Sequence, residues 1–252
     1  MHANIGEIST INGSAAIERG NDAIAATQGT GIEMDDTAVT ANANMRIDFI
    51  DDTRVDITAH SRLIIDDFVY DPNTGKGSLG LKASLGTIRY ASGQIAKNSR
   101  QRVRIRTPSA TISVRGTDFA MVIDEVGGSM ITLLPSCDTD GMCFVGEISV
   151  ETDAGMVILN QAFQATITSN SMSPPTKPLL LDIDEAMINQ LLILRKKNPY
   201  YEEAIKIADE KRKRADFLGL DFLQYDNLSG DLLVDSIESI WVTALDQTGQ
   251  LL

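Results

Sequence analysis

From residue 5 to about residue 170 the dominant pattern of the sequence is alternation. IGEIST, GSAAIERG, MRIDFID, TRVDIT, TIRYASG, RVRIRT, TISVRG, FAMVID, EISVET and QATITSN are short runs of apolar and polar residues, rich in Ile, Val and Thr, separated by Gly, Asn and Asp. A period of two sends successive side chains to opposite faces of a strand, so such a run buries its apolar face only as part of a sheet. Many short strands of this kind specify a mainly β architecture: a sandwich, roll, barrel or short β-helix-like stack. No fixed-length repeat carries a repeated motif, which leaves a regular solenoid without support. The hairpin MRIDFIDDTRVDIT shows the parity most clearly. Ile47, Phe49, Val55 and Ile57 are expected inside, with Asp48, Arg54, Asp56 and Thr58 in solvent around an Asp51-Asp52 turn.

The pattern breaks at SMSPPTKP, residues 171–178, where three prolines rule out both a ladder and a helix and predict a linker or a surface-hugging crossing. Beyond it the period becomes helical. DIDEAMINQLLILRKK has acids at its start and Arg195, Lys196 and Lys197 at its end, as the helix dipole favours. Asn198-Pro199 stops it and caps a second helix, and a third runs from about Asp231 to Leu245 with Leu233, Ile237, Ile240 and Trp241 on one side. The expected organisation is a β-domain over 1–170, a proline-rich linker over 171–178 and about three helices over 179–252, packed against the β-domain or a neighbouring subunit.

Charge narrows the function. The net charge is −13, with acid in excess both before and after the proline-rich stretch, so phosphate backbones and anionic lipid are repelled. The N-terminus lacks the pattern of a secretory signal, and no apolar run is long enough to span a bilayer. Catalysis finds little support. Of the two histidines, His2 is terminal and His60, in ITAHSRL, has no nucleophile elbow or oxyanion signature beside it. The pairs Asp35-Asp36, Asp51-Asp52 and Asp66-Asp67 are read as solvated turn residues. DFVYDPNTGKG sets Asp67, Asp71, Asn73 and Thr74 at spacings that suggest an oxygen cage, but it lacks the EF-hand glycine and glutamate and reads as a turn. GGS at 127–129 is a turn, not a phosphate loop. Cys137 and Cys143 are read as two reduced thiols in a hairpin loop, with a local disulfide as the alternative. No metal or cofactor is expected.

The segment RQRVRIRTPSATISVRGTDFAM stands out in this acidic chain. Arg100, Arg102, Arg104 and Arg106 share one face of a strand, with Val103 and Ile105 on the other. The conservative reading pairs these arginines across strands with aspartates such as those of RIDFIDDTRVD. The functional reading makes them a basic strip that docks on an acidic protein partner or on another copy of the chain. With few aromatics nearby, nucleic acid is the least favoured ligand. The run Lys211 to Arg214 closes a helix and reads as dipole compensation.

The residues after the strip resemble the FecR domain family: Thr107-Pro108, a small-residue step, the short strand Ile112-Ser113-Val114, then Arg115-Gly116-Thr117 and an alternating strand. Upstream GSAAIERG, MRIDFIDDTRVDITAHSRLIIDDFVYD and SLGLKASLGTIRYASGQIAK, and downstream GEISVETDAGMVILNQAFQATI, extend the likeness over roughly residues 5–168. Physically, Pro108 is expected to end a ladder, Gly116 to permit a bulge, and Arg115 to be buried with its fork satisfied, locking the bend. The resemblance implies no catalytic role. The family's familiar members are bacterial regulators that relay siderophore-receptor signals to a sigma factor. Without a transmembrane helix, this acidic β-module with a helical tail is expected to be a non-enzymatic structural protein, a bacteriophage virion component of the tail or baseplate built into an oligomer. The alternatives are a soluble cytoplasmic or periplasmic regulatory module of the FecR kind, and a surface carbohydrate-binding module.

Overall fold

The computed structural model describes residues 4–99, 102–137 and 143–181. Among them the strands are β1 (Gly6–Asn12), β2 (Ala15–Arg19), β3 (Asp22–Ala25), β4 (Gly31–Ile32), β5 (Thr37–Thr40), β6 (Asn44–Phe49), β7 (Arg54–Ile57), β8 (Arg62–Asp71) and β9 (Lys76–Ala91). A short helix, α1 (Gln94–Asn98), leads to β10 (Val103–Arg106), β11 (Thr111–Arg115), β12 (Asp118–Ile123), β13 (Ser129–Leu134), β14 (Ser136–Cys137), β15 (Cys143–Phe144), β16 (Glu147–Thr152), β17 (Gly155–Leu159), β18 (Gln164–Thr168) and β19 (Leu179–Leu180).

Two sheets share one strand. The first runs β4-β1-β6-β7-β9-β12-β13-β18-β19, all antiparallel. The second runs β3-β2-β5-β8-β9-β10-β11-β16-β17, antiparallel except for the parallel pair β9–β10. The first ten residues of β9, ending at Leu85, pair with β8 in the second sheet, and from Gly86 onward β9 pairs with β12 and β7 in the first. Gly86 makes this transfer possible: its φ is +89°, and a Cβ there would lie 2.0 Å from Ser61 Oγ. A parallel pair needs a crossover connection, supplied here by the second half of β9 together with α1.

One apolar cluster lies between the sheets, joining Ile47, Ile57, Ile88 and Phe119 of the first to Ile65, Leu81, Ile105, Ile112 and Val150 of the second. Phe49 stacks on Phe68 across it at 5.6 Å between centroids. Each fully buried Ile or Leu contributes about 1.5–3 kcal/mol relative to exposure. Of the expected faces of the MRIDFIDDTRVDIT hairpin, the inward residues Ile47, Phe49, Val55 and Ile57 are all buried, but Asp56, expected in solvent, is buried as well, between Arg46 and Arg89. β12 and β13 are buried on both faces, which is why FAMVI and MITLL read as nearly continuous apolar runs.

Two expectations need correction. The proline-rich stretch is not a free linker but the surface-hugging crossing, and the chain after it is at first strand. Thr176 accepts from Ile167 N–H at 2.9 Å and donates its own N–H to Ile167 O at 3.0 Å, holding the stretch along β18. β19 then pairs with β18. A threonine set among prolines supplies the N–H donor they lack and adds a hydroxyl acceptor, so the ladder resumes within the span expected to be helical. The helices expected beyond it, with the Lys211–Arg214 run and Trp241, lie outside the described residues. The Asp51-Asp52 turn is likewise not fully solvated. Asp52 takes the exposed left-handed position with φ +66°, but Asp51 is buried. Its carboxylate accepts from Thr53 N–H (3.1 Å), Thr53 Oγ1 (2.8 Å) and the N–H of Ile95 (3.2 Å), an orphan donor in the first turn of α1.

Candidate functional site

The strip centres on β10. Val103 and Ile105 point into the core, while Arg102, Arg104 and Arg106 are exposed on the outer face of the second sheet; Arg100 lies outside the described residues. The conservative pairing is corrected by the register. The aspartates of RIDFIDDTRVD sit in the first sheet, and Asp56 there binds Arg46 at 2.6 Å and Arg89 at 3.5 Å. Among the described residues, Arg106 is the one member of the strip with an ion pair, to Asp66 of β8 at 3.2 Å, and Asp66 also binds Lys82. Arg102 and Arg104 make no ion pair with a described residue, in a chain with a large surplus of carboxylates.

Beside them lies a trough of about 390 Å³. The register explains it. Asp67 of β8 and Arg104 of β10 both stand opposite Gly80 of β9, so the central strand offers no side chain between them. A register shift between Ile65 and Asp67 brings both Asp66 and Asp67 to the trough's far wall, where Asp67 accepts a hydrogen bond from Ser78 at 2.8 Å. On the other side of Arg104 and Arg106 a second concavity of about 650 Å³ extends over Ser113, Ser149, Glu151 and Met156. Gly80, Ser78 and the two aspartates were not identified with the strip beforehand. The alternation in KGSLGLKAS put Ser78, Gly80 and Lys82 on one face, but the parallel pairing that sets them beside the arginines depends on a crossover no local pattern reveals.

The corner after the strip clamps the two sheets. Thr107 and Ala110 close the β10–β11 turn, with Thr107 N–H donating to Ala110 O at 2.8 Å and Ala110 N–H to Thr107 Oγ1 at 3.1 Å, and Pro108 exposed at the bend. Ser109 is buried and contacts Ser129 Oγ at 2.9 Å and Thr168 Oγ1 at 2.8 Å, linking this turn of the second sheet to β13 and β18 of the first. Gly116, with φ +59°, lies where the chain leaves β11 for β12 and so changes sheet, a corner between ladders rather than a bulge within one. Thr117 is buried and donates to Leu134 O at 3.2 Å.

Arg115 is not the buried lock expected of it. Its side chain is 52% exposed and only 3.9 Å from Glu147, because its odd place on β11 puts it on the outer face. The buried arginine is Arg89, 2% exposed, which donates to Asp118 at 2.8 Å. Asp118 in turn accepts from Ser136 Oγ at 2.6 Å. Asp118 belongs to the RGTDFAM segment, so the motif supplies the acid of the lock and TIRYASG the base. Nothing local in TIRYASG distinguishes this arginine from a solvated one.

The remaining candidates resolve into structure. Asp36 is buried, chelating Arg19 at 2.8 and 2.7 Å, and that hydrogen bond is the main reason the guanidinium holds its proton above its ordinary value. Asp71 caps the β8–β9 turn by accepting from Thr74 Oγ1 at 2.8 Å and Asn73 N–H at 3.0 Å, which lower its pKa. His60 is an exposed turn residue with φ +55°. Burial pushes the Tyr90 phenol above its ordinary value, leaving it neutral. Among the described residues no three His, Cys, Asp or Glu side chains gather to hold a metal ion. Cys143 is disulfide-bonded, and its ladder partner is Cys137. The reduced-thiol reading is therefore replaced by its alternative, the local disulfide.

Residues 35–135 match the FecR protein family. The FecR match is narrower than the span of 5–168 suggested by the motifs, and it contains the strip, the corner and both Arg89 and Asp118. Two crystal structures of candidate anti-sigma factors from Parabacteroides distasonis are similar at TM-scores of 0.44 and 0.38, with 12% and 13% identity over 60% and 55% of this chain. The chain spans 62% and 56% of those two, less than two thirds of either. No curated protein matches. The FecR match does not support a phage origin. Among the described residues no helix is long and apolar enough to cross a membrane.

Proposed function

We propose that the chain is the β-module of a FecR-type signalling or regulatory protein, a non-enzymatic domain that works by binding other proteins in the periplasm. The observation that carries this reading is the FecR match across β5 to β13, the segment that holds both sheets together. The disulfide at Cys143 favours the periplasmic form of the reading over the cytoplasmic one, because stable disulfides persist in oxidising compartments. The virion reading rested on overall acidity and a helical tail, and the family match favours regulation over it.

Crosslinking followed by pull-down of the tagged full chain from the organism that encodes it, with partners identified by mass spectrometry, tests the reading. Recovery of a sigma-factor pathway protein or a TonB-dependent receptor is the expected result. Recovery of virion proteins alone, or the chain itself in purified phage particles, would overturn it.

A further inference from the structure

We infer that the trough along Arg102, Arg104 and Arg106 is a binding site for an extended acidic peptide segment of a partner protein, laid over Gly80 with its carboxylates against the guanidiniums. Three observations point to this ligand. First, Arg102 and Arg104 are exposed cations that make no ion pair among the described residues, in a chain of net charge −13, even with Asp66 and Asp67 across the trough. Arg106 is only half-committed, sharing Asp66 with Lys82. Second, the floor is open. Gly80 stands between Asp67 and Arg104, and a Cβ there would already sit 3.1 Å from Asp67 Cβ, so any larger side chain would fill the trough. Third, the spacing is that of a strand. Alternate residues of β10 are about 6.6 Å apart, the repeat at which an extended peptide presents every second side chain to one side. A peptide with acids at alternate positions would therefore meet successive arginines in register, each able to take a carboxylate on two parallel N–H donors.

The walls add direction. Asp66 is held by Lys82 and Arg106, while Asp67 keeps its charge and, among the described residues, accepts only from the Ser78 hydroxyl, so three guanidiniums on the β10 side outnumber the two carboxylates opposite and an acidic ligand belongs against β10. A nucleic-acid strand would find the same cations but no aromatic side chain along the trough on which to stack a base. The proposal depends on the regulatory-module reading for what the partner does, and on the trough alone for what chemistry it recognises.

The test uses the full chain and a fluorescent synthetic peptide of alternating Glu and Thr, with a Gln-Thr peptide of equal length and an oligothymidylate as comparators, read by anisotropy. The Glu-Thr peptide is expected to bind at least about tenfold more tightly than the Gln-Thr peptide, and Arg104→Gln to remove about tenfold of that affinity. Gly80→Val should weaken binding comparably without any change of charge. Arg115→Gln, which removes an exposed arginine of the same sheet outside the trough, should leave binding unchanged; thermal melts confirm that each variant is folded. Equal binding of both peptides, tighter binding of oligothymidylate, or equal losses from Arg104→Gln and Arg115→Gln would each overturn the proposal. Because no cellular partner enters this experiment, peptide binding alongside a failed pull-down rejects the regulatory role and keeps the trough. The reverse pair of results rejects the trough alone.

Discussion

On the outer face of the first sheet, Arg46, Asp56 and Arg89 stand directly opposite one another across β6, β7 and β9, with Asp118 of β12 closing the row on Arg89. On the outer face of the second, Asp67, Gly80, Arg104 and Ser113 form the corresponding row across β8, β9, β10 and β11. Residue types are shared, and β9 passes through both. In the first row every cation meets an acid and the members at its centre are buried; in the second a glycine separates acid from base and the arginine stays exposed. Cross-strand charge pairs are the ordinary way for a sheet to carry arginine. A row that declines them has left its cations available, and the proposed recognition role of the second face rests on this contrast.

The contrast is broken most severely from the buried side. Asp118→Ala leaves Arg89 desolvated with its shortest ion pair removed and frees Ser136 Oγ, and losing one partner of a buried pair costs about 3–5 kcal/mol. Urea denaturation should show a loss of this size with an unchanged m-value. A loss below about 1 kcal/mol would place Arg89 among ordinary surface residues and dissolve the distinction between the two rows.

Asp51→Ala probes the same principle at a turn. It removes the acceptor for Thr53 N–H, Thr53 Oγ1 and Ile95 N–H in a fully buried setting, and a cost of about 2 kcal/mol is expected from the donors left unsatisfied. Asp52→Ala, one residue away and exposed, should cost less, mainly through its left-handed φ. A reversed order would mean that the turn, not the tie to α1, holds this corner.

The exposed row should be nearly silent in the same assay. Arg102→Gln with Arg104→Gln is expected to change stability by less than about 0.5 kcal/mol, since neither side chain has an ion pair to lose. Arg115→Ala should behave alike, because a pair at 3.9 Å between half-exposed side chains is worth under about 1 kcal/mol. A large loss at Arg104 would turn the recognition face into a second structural one.

These pairs of residues also mark what could be read in advance. Parity alone fixed the faces of β10, with Val103 and Ile105 inside and the arginines outside, and located the hairpins at Asp51 and Asp71, because strand periodicity and turn chemistry are local. The identity of the locked arginine was not local. Arg115 sits in the motif and Arg89 does not, yet burial was decided by which sheet each strand joined. The trough escaped for the same reason: its arginines, its glycine and its aspartates come from three strands aligned by a parallel pairing and a register shift. Asp36 and Asp51 show the limit at single residues. In these two Asp-Asp pairs one member takes the left-handed turn position, Asp35 or Asp52, and the other is drawn inside as an acceptor, and composition cannot say which.

The smallest effect comes from an acid on the exposed side that keeps its charge for local reasons. Asp71 lies at the tip of the β8–β9 hairpin, fully in solvent, and its pKa is lowered first by the Thr74 hydroxyl and then by the Asn73 N–H. A carboxylate whose folded pKa lies below its unfolded one adds stability above the unfolded value, and that contribution disappears as pH falls through the folded value. Asp71→Asn keeps the turn geometry but cannot titrate, so the wild type should exceed the variant by a small constant margin above about pH 6, and that margin should shrink as pH falls below the ordinary aspartate value of about 3.9. Denaturation midpoints of both proteins across this range measure it. A margin independent of pH would show that Asp71 acts through turn shape alone. A closing margin would show that an exposed acid on this sheet can be held charged by two local donors without any arginine, leaving the neighbouring guanidiniums of β10 free of that task.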